Sequence, residues 1–367
     1  MPMELFGKSL EELRALAAGL GEPAWRGAQL YHSLYAERQL DFDRMTALPA
    51  PLRRHLSNEA AVTLPRIAGR YISSDGSVRY LLALAGSAEN GGRDGAGDGV
   101  ATVETVFMPS PGRQTICVST QAGCAVDCRF CLTATLGLIR NLSAGEILGQ
   151  VFLALAEHAA DLALRTNVVF MGQGEPLLNY DATLAATRIL LDPHGVGLSP
   201  RHVTLSTSGI VPGIDRLAGE LVRPKLAVSL NASTDDERSR LMPLNRKYPL
   251  GPLLDACRRY PLRSWERLTF EYVLLGGLND RALDARRAAR LLGGLRAKVN
   301  LIPWNPGELP FRQPEPSAVE EFRRILADRG IHAFVRYSRG RDVFAACGQL
   351  ALIDGSAAPS APSLAAQ

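Results

Sequence analysis

The stretch CVSTQAGCAVDCRFCLTA, residues 117–134, carries three cysteines in the spacing C-x3-C-x2-C directly after the strand-like run TICVST (115–120). Gly123 opens a loop tight enough for the thiols of Cys124, Cys128 and Cys131 to wrap one metal centre. Thiolates are soft donors suited to iron–sulfur ligation, and three of them leave one iron of a four-iron cluster free to bind something else. A structural zinc site is the competing reading. Its usual pattern pairs two C-x2-C-like knuckles, whereas here the nearest remaining thiol or imidazole is distant in sequence or strand-borne.

Working outward, five more strand-like runs follow TICVST: NVVFMG (167–172), HVTLST (202–207), KLAVSL (225–230), LTFEYVLL (268–275) and KVNLIP (298–303). Most are separated by stretches able to form helices. Six strand–helix units predict an α/β fold built as a partial (β/α)6 barrel of the TIM-like type, in which reactive groups gather at the C-terminal ends of the strands. Polar and glycine-rich residues fall at those ends: GQGEP (172–176), residues 206–209, residues 229–231, and Asn305. In GQGEP, Glu175 offers a carboxylate that can hydrogen-bond an ammonium group. A further strand-like run, HAFVRYS (332–338), leads into RGRDVFAACGQL (339–350).

Before the barrel, residues 1–65 predict a helical accessory domain. Ser9 and Glu12 are spaced as a capping box, Leu10, Leu13, Ala17 and Leu20 share one face, and Gly19 and Gly21 are stop signals. A second helix after Pro23 carries Trp25, Leu30, Tyr31 and Tyr35, aromatics expected in a core more than on an RNA-stacking surface. Residues 66–109 predict a β-hairpin and flexible linker. The β-rich runs 70–84 and 100–107 flank GSAENGGRDGAGDG (86–99), whose glycines and charges cannot pack a core. The barrel with its C-terminal cysteine segment is assigned to 110–350, and 351–367 to a disordered Ala/Pro/Ser tail.

The composition, 46% hydrophobic and 21% charged over 367 residues, is that of a soluble protein with a large core. The N-terminus lacks a basic start and cleavage site, and no apolar run reaches the ~20 residues that span a bilayer, so a cytoplasmic location away from membranes is expected. Six cysteines are too few for a disulfide scaffold at this length. The net charge of +4 is uneven: residues 246–342 hold 19 Lys+Arg against 11 Asp+Glu, an excess of 8. That suits a polyanionic partner, or equally an arginine-rich solvated surface.

With these residues in view, the chain resembles the radical S-adenosylmethionine methylases of the RlmN type. The likeness runs through FMPSPGRQTICVSTQAGC (107–124), CRFCLTATLGLIRNLSAGEI (128–147), MGQGEPLLNY (171–180), RLMPLNRKYPL (240–250), LTFEYVLLGGLND (268–280), NLIPWNP (300–306) and AACGQL (345–350). The resemblance implies methylation of carbon 2 of a specific adenine in 23S rRNA, at the peptidyl-transferase centre, and of the adenine 3′ of the anticodon in tRNA. It implies one 4Fe-4S cluster on Cys124, Cys128 and Cys131. S-adenosyl-L-methionine contacts are implied at Gly174, Glu175, Ser206, Ser229, Leu230, Asn231 and Asn305. It further implies Cys347 as the S-methylated cysteine, Cys117 as the resolving thiol and Glu104 as a proton acceptor. A flavodoxin- or ferredoxin-type reductant and a monomeric state complete the expectation.

Apart from the resemblance, Cys117 reads as a buried strand cysteine, Cys347 as a small helix-packing residue, Cys257 as structural and Glu104 as solvent-facing. A sister group of resistance methylases (the Cfr type) modifies carbon 8 of the same base and shares these cysteines. A glycyl-radical activating enzyme needs neither Cys117 nor Cys347, and an RNA-binding protein with a structural zinc needs no radical chemistry.

Overall fold

A computed structural model describes residues 2–84, 101–306 and 309–352. Ten strands form one sheet: β1 (Arg66–Ile72), β2 (Val78–Ala83), β3 (Thr102–Ser110), β4 (Arg113–Val118), β5 (Thr166–Phe170), β6 (Val203–Thr207), β7 (Lys225–Ser229), β8 (Leu268–Leu274), β9 (Ala297–Pro303) and β10 (His332–Val335). Each strand pairs with its neighbours in chain order, antiparallel from β1 to β4 and parallel from β4 to β10. The six predicted barrel strands are β4 to β9, and HAFVRYS supplies β10. The sheet does not close, because β1 and β10 are not paired with each other.

Ten α-helices accompany the described strands. Three precede the sheet: α1 (Leu10–Gly19), α2 (Trp25–Tyr35) and α3 (Ala50–Glu59). The others are α4 (Ala144–Glu157), α5 (Tyr180–Leu191), α6 (Val211–Ala218), α7 (Asp235–Leu241), α8 (Leu250–Arg259), α9 (Ala282–Leu292) and α10 (Pro316–Ala327).

Period-two alternation decides what each face of the sheet does. Ile116, Val118, Val168, Leu205, Leu226, Val228, Phe270, Tyr272, Val299 and Leu301 are buried in the main apolar core. Their sequence neighbours Thr115, Asn167, Thr204, Ser206, Thr269, Glu271, Lys298 and Asn300 line internal cavities instead. Barrel interiors of this type are normally filled by bulky branched side chains. Here the inward positions are mostly polar, and the lumen stays open.

At the N-terminus the predicted capping box forms: Glu12 N–H donates to Ser9 Oγ at 3.3 Å and Ser9 N–H to Glu12 Oε2 at 2.7 Å. Tyr31 and Tyr35 are core residues as expected, while Trp25 is exposed with Arg26 stacked 3.9 Å over its ring. The ring of Phe6 meets Phe152 of α4 edge-on at 5.0 Å, so the helical segment shares the core of the barrel.

The run 70–84 is not one strand. Asp75 Oδ1 accepts the Ser77 amide at 2.8 Å, turning the chain between β1 and β2. The expected antiparallel pairing across 86–99 is present as β2–β3, and β1–β3 extend the barrel sheet itself where a linker between bodies was expected. The loop 86–99 and the tail beyond Leu352 lie outside the described residues.

Tyr35 Oη donates to Lys8 O at 2.9 Å and accepts the Gly7 amide at 2.9 Å. Tyr35→Phe leaves both main-chain groups without that partner inside the structure. The expected loss is about 1–3 kcal/mol of unfolding free energy, read from a shifted urea midpoint with an unchanged slope.

Candidate active site

At the C-terminal ends of the parallel strands the lumen widens into a cleft of about 960 Å³. Cys124, Cys128 and Cys131 line it together with Gly174, Glu175, Ser206, Ser229, Asn231, Asn305 and Cys347. Residues separated by more than two hundred positions therefore face one space. Of the residues singled out in the sequence, Leu230, Cys117 and Glu104 do not line this cleft. The Leu230 side chain is fully buried and its amide donates to Glu271 O at 2.9 Å, so it contributes backbone alone.

The cysteine loop is built on one close approach. Gly123 has φ +72°, and a Cβ there would sit 1.8 Å from Gly137 O, the oxygen that accepts the Cys124 amide at 2.8 Å. Arg129 N–H donates to Leu241 O at 2.9 Å, and Trp304 Nε1 to Phe130 O at 3.4 Å. Among the described residues no three thiol, imidazole or carboxylate side chains converge to chelate a single ion. Tetrahedral zinc demands that convergence. Three soft thiols along one wall suit an inorganic cluster, which fills the space between its ligands. Burial pushes the Cys124 thiol up to about 12 and raises Cys128 and Cys131 as well. Loading the site must therefore displace protons from these thiols.

Beside this wall, Gly174 (φ +95°) lets the strand end pass Gln121, whose Cβ would lie 2.5 Å from a side chain at that position. Glu175 is buried, and burial raises its carboxyl. Its Oε2 accepts the Ser208 amide (2.7 Å) and hydroxyl (2.6 Å), and its Oε1 the Leu177 amide (3.0 Å). Ser206 Oγ donates to Glu271 Oε2 at 2.9 Å, and Asn305 Nδ2 to Ser338 Oγ at 2.8 Å. Asn231 holds a left-handed backbone (φ +56°), tied by Val273 N–H to its Oδ1 at 2.9 Å and by Asn279 Nδ2 to its carbonyl at 2.8 Å. A non-glycine residue in this region is strained, and the strain is held by these bonds.

Two residues of this site escaped the sequence reading. Arg238 is fully buried in α7, and its guanidinium donates to Ser208 O (2.6 Å), Ser229 O (2.9 Å), Leu230 O (3.1 Å) and Asn245 Oδ1 (2.9 Å). It clamps the ends of β6 and β7 together. A helical arginine beside Asp235, Asp236 and Glu237 reads as solvated, so nothing local marks it. Glu271, the second, had a signal that could have found it, a polar residue two positions after Thr269 in the same strand-like run.

Cys117 lines an adjoining chamber of about 950 Å³ with Cys347, Arg336 and Met171. Cys347 also faces the first cleft, so it stands at the junction of the two. Cys117 is buried while Cys347 is exposed to these cavities. Desolvation raises both thiols; the proximity of Cys347 adds to this at Cys117, and Arg336 pulls both down.

Glu104, expected at the surface without the resemblance, is wholly buried and ion-paired with the equally buried Arg79. Its Oε2 accepts Gln173 Nε2 and the Leu352 amide, each at 3.1 Å. Burial raises its carboxyl, against the pull of Arg79 and those donors. Cys257 is buried in the apolar core, in line with a structural role.

Residues 118–288 match the Radical SAM superfamily, and residues 3–62 match the Ribosomal RNA large subunit methyltransferase N-terminal domain. The chain is 50% identical to a probable dual-specificity RNA methyltransferase RlmN of Koribacter versatilis, covering 90% of this chain and 96% of that protein. It is 47% identical to the dual-specificity RNA methyltransferase RlmN of Anaeromyxobacter dehalogenans, over 97% and 94%. The crystal structure of a radical SAM methyltransferase from Sphaerobacter thermophilus superposes with a TM-score of 0.85 at 45% identity, over 95% of this chain and 99% of that one.

Glu104→Ala would remove one partner of a buried ion pair, the carboxylate that Arg79 faces. The expected loss is about 3–5 kcal/mol of stability, checked by chemical denaturation at neutral pH.

Proposed function

The chain belongs to the RlmN family of radical SAM RNA methyltransferases, and on that premise we propose that it methylates carbon 2 of a specific adenine in 23S rRNA and the adenine 3′ of the anticodon in tRNA. The observation that carries this reading is the meeting of Cys117 and Cys347, from opposite ends of the barrel sequence, in one chamber that adjoins the three-cysteine wall.

Cys124, Cys128 and Cys131 hold the 4Fe-4S cluster, and the strand-end residues Gly174, Glu175, Ser206, Ser229, Leu230, Asn231 and Asn305 seat S-adenosyl-L-methionine. When bound, these cofactors supply the methyl group and an alkyl radical. Cys347, as thiolate, takes the methyl group on Sγ and presents it at the junction of cleft and chamber. Adenine carbon 2 is electron-poor and does not attack a methyl cation, but the sulfur-bound methyl, having lost a hydrogen atom to the alkyl radical, adds to it as a carbon radical and joins base to Cys347. The adduct then gives up the hydrogen of carbon 2 as a proton and its odd electron, which the oxidised cluster would take back, and the Cys117 thiolate attacks Cys347 Sγ. The S–S bond forms as the carbon–sulfur bond breaks, and its electron pair stays with the methylated base. Glu104, whose carboxyl burial raises, is the proton acceptor of this scheme.

The α1–α3 segment and the basic second half of the barrel grip the RNA, whose target base leaves its stack to enter the lumen. A flavodoxin- or ferredoxin-type protein delivers the electrons, and the enzyme works as a cytoplasmic monomer. No helix among the described residues is long and apolar enough to cross a membrane.

Anaerobic assay of the reconstituted protein on 23S rRNA and tRNA, followed by nucleoside mass spectrometry, is expected to yield 2-methyladenosine; 8-methyladenosine in its place overturns the assignment. Cys347→Ala and Cys117→Ala are each expected to abolish RNA methylation while bound iron is retained. Unchanged turnover in either variant removes the two-thiol scheme.

A further inference from the structure

At the N-terminal ends of the parallel strands, the far end of the lumen from the cluster cysteines, lies a cavity of about 1290 Å³. Its charge has one sign. Arg113, Arg165, Arg201, Lys225, Lys298 and Arg336 line it, and among the described residues no carboxylate does. None of these six cations forms an ion pair with a described residue. Burial pushes Lys225 and Lys298 down, with Lys298 adding to the effect at Lys225 and Arg336 at Lys298. Glu266 pulls the other way at Lys225, but it is hidden at 1% exposure and paired with Arg263. Half-buried cations facing one another across a cavity are electrostatically costly unless an anion enters between them.

The cavity is continuous with the chamber of the two catalytic thiols. Arg113, Thr115, Val169, Met171 and Arg336 line both spaces. Cross-strand register places Cys117 opposite Val169, Val169 opposite Thr204 and Thr204 opposite Lys225, so a cavity cation shares a layer of the sheet with the resolving thiol. Six cations in this volume exceed what a single phosphate needs.

We propose that this basal cavity is a phosphate seat that takes the sugar–phosphate backbone of the substrate beside the base held at Cys347. The proposal rests on the RNA-methylase reading. A free oligophosphate shares the recognition chemistry, but the open connection to the thiol chamber favours a strand whose base continues into it.

The test is fluorescence anisotropy of an anticodon stem-loop transcript, titrated with the wild type and with a Lys225→Gln/Lys298→Gln variant over a range of salt, with inorganic tripolyphosphate as competitor. The variant is expected to bind the transcript about tenfold more weakly, with a log Kd against log salt slope smaller by about 1.4, two phosphates at ~0.7 each. Tripolyphosphate should displace the transcript from the wild type and no longer act on the variant, and Lys225→Arg/Lys298→Arg should restore both behaviours. Unchanged affinity and slope overturn the seat. Loss of tripolyphosphate binding with unchanged RNA binding overturns the RNA assignment and leaves a site for a small phosphate compound. Should circular dichroism show the glutamine pair unfolded, the exposed Arg165→Gln/Arg201→Gln pair carries the same measurement. A wild type that binds RNA in this way yet leaves its adenines unmethylated sinks the functional reading and not the seat.

Discussion

The whole arrangement depends on one constraint: each barrel strand must bury an apolar face against helices while leaving its inward face polar. Leu226 and Val228 face the core and Lys225 and Ser229 the lumen; Phe270 and Tyr272 face the core and Thr269 and Glu271 the lumen. Because side chains alternate with a strict period of two, a one-residue slip in register would put the polar row into the apolar core. The hydrophobic layer thereby sets the height and direction of every functional group, though it touches none of the chemistry. The lumen is open for the same reason, since the inward positions lack the bulk that normally plugs such a barrel.

A second dependence runs through the segment that carries Cys347. It belongs to no sheet, and among the described residues its only regular element is the short 3-10 turn Arg341–Val343. Its position comes from individual hydrogen bonds. Leu132 N–H donates to Gly348 O at 2.8 Å and Thr133 Oγ1 to Leu350 O at 2.6 Å, both from the three-cysteine loop. On the other side, Asp342 accepts the Ser73 hydroxyl and the Ser74 amide, and Asp75 Oδ2 accepts the Gly340 amide at 3.0 Å. The Cys347 thiol is thus held between the cysteine loop and the β1–β2 turn. This gives β1–β3 a purpose: they carry the support for a residue some 270 positions later.

Buried charge serves positioning as well. Arg238 directs its guanidinium at carbonyls at the ends of β6 and β7, and Glu104 joins Arg79, Gln173 and Leu352. Such groups are expensive to bury, and hydrogen bonds offset that cost for most of their polar atoms, Gln173 Oε1 being an exception. The reward is a rigid backbone at places where Asn231 sits in a strained conformation and Gly174 passes a neighbouring strand within reach of a single missing Cβ.

Much of this is legible in the sequence. Alternation and strand-like runs named all six barrel strands, the C-x3-C-x2-C spacing named the three-cysteine loop that lines the cleft, and the polar residues at strand ends named most of the rest of it, because these signals are local and repeat with the geometry of the chain itself. The capping box at Ser9 was likewise readable from two residues. Burial of Glu104 against Arg79, the clamp made by Arg238, the one-signed cavity at the strand starts and the meeting of Cys117 with Cys347 were not readable in this way. Each joins residues whose surroundings come from distant parts of the chain. A carboxylate in a strand, an arginine in a helix and a lone cysteine look ordinary until packing removes water and chooses their neighbours, and only the folded sheet does that.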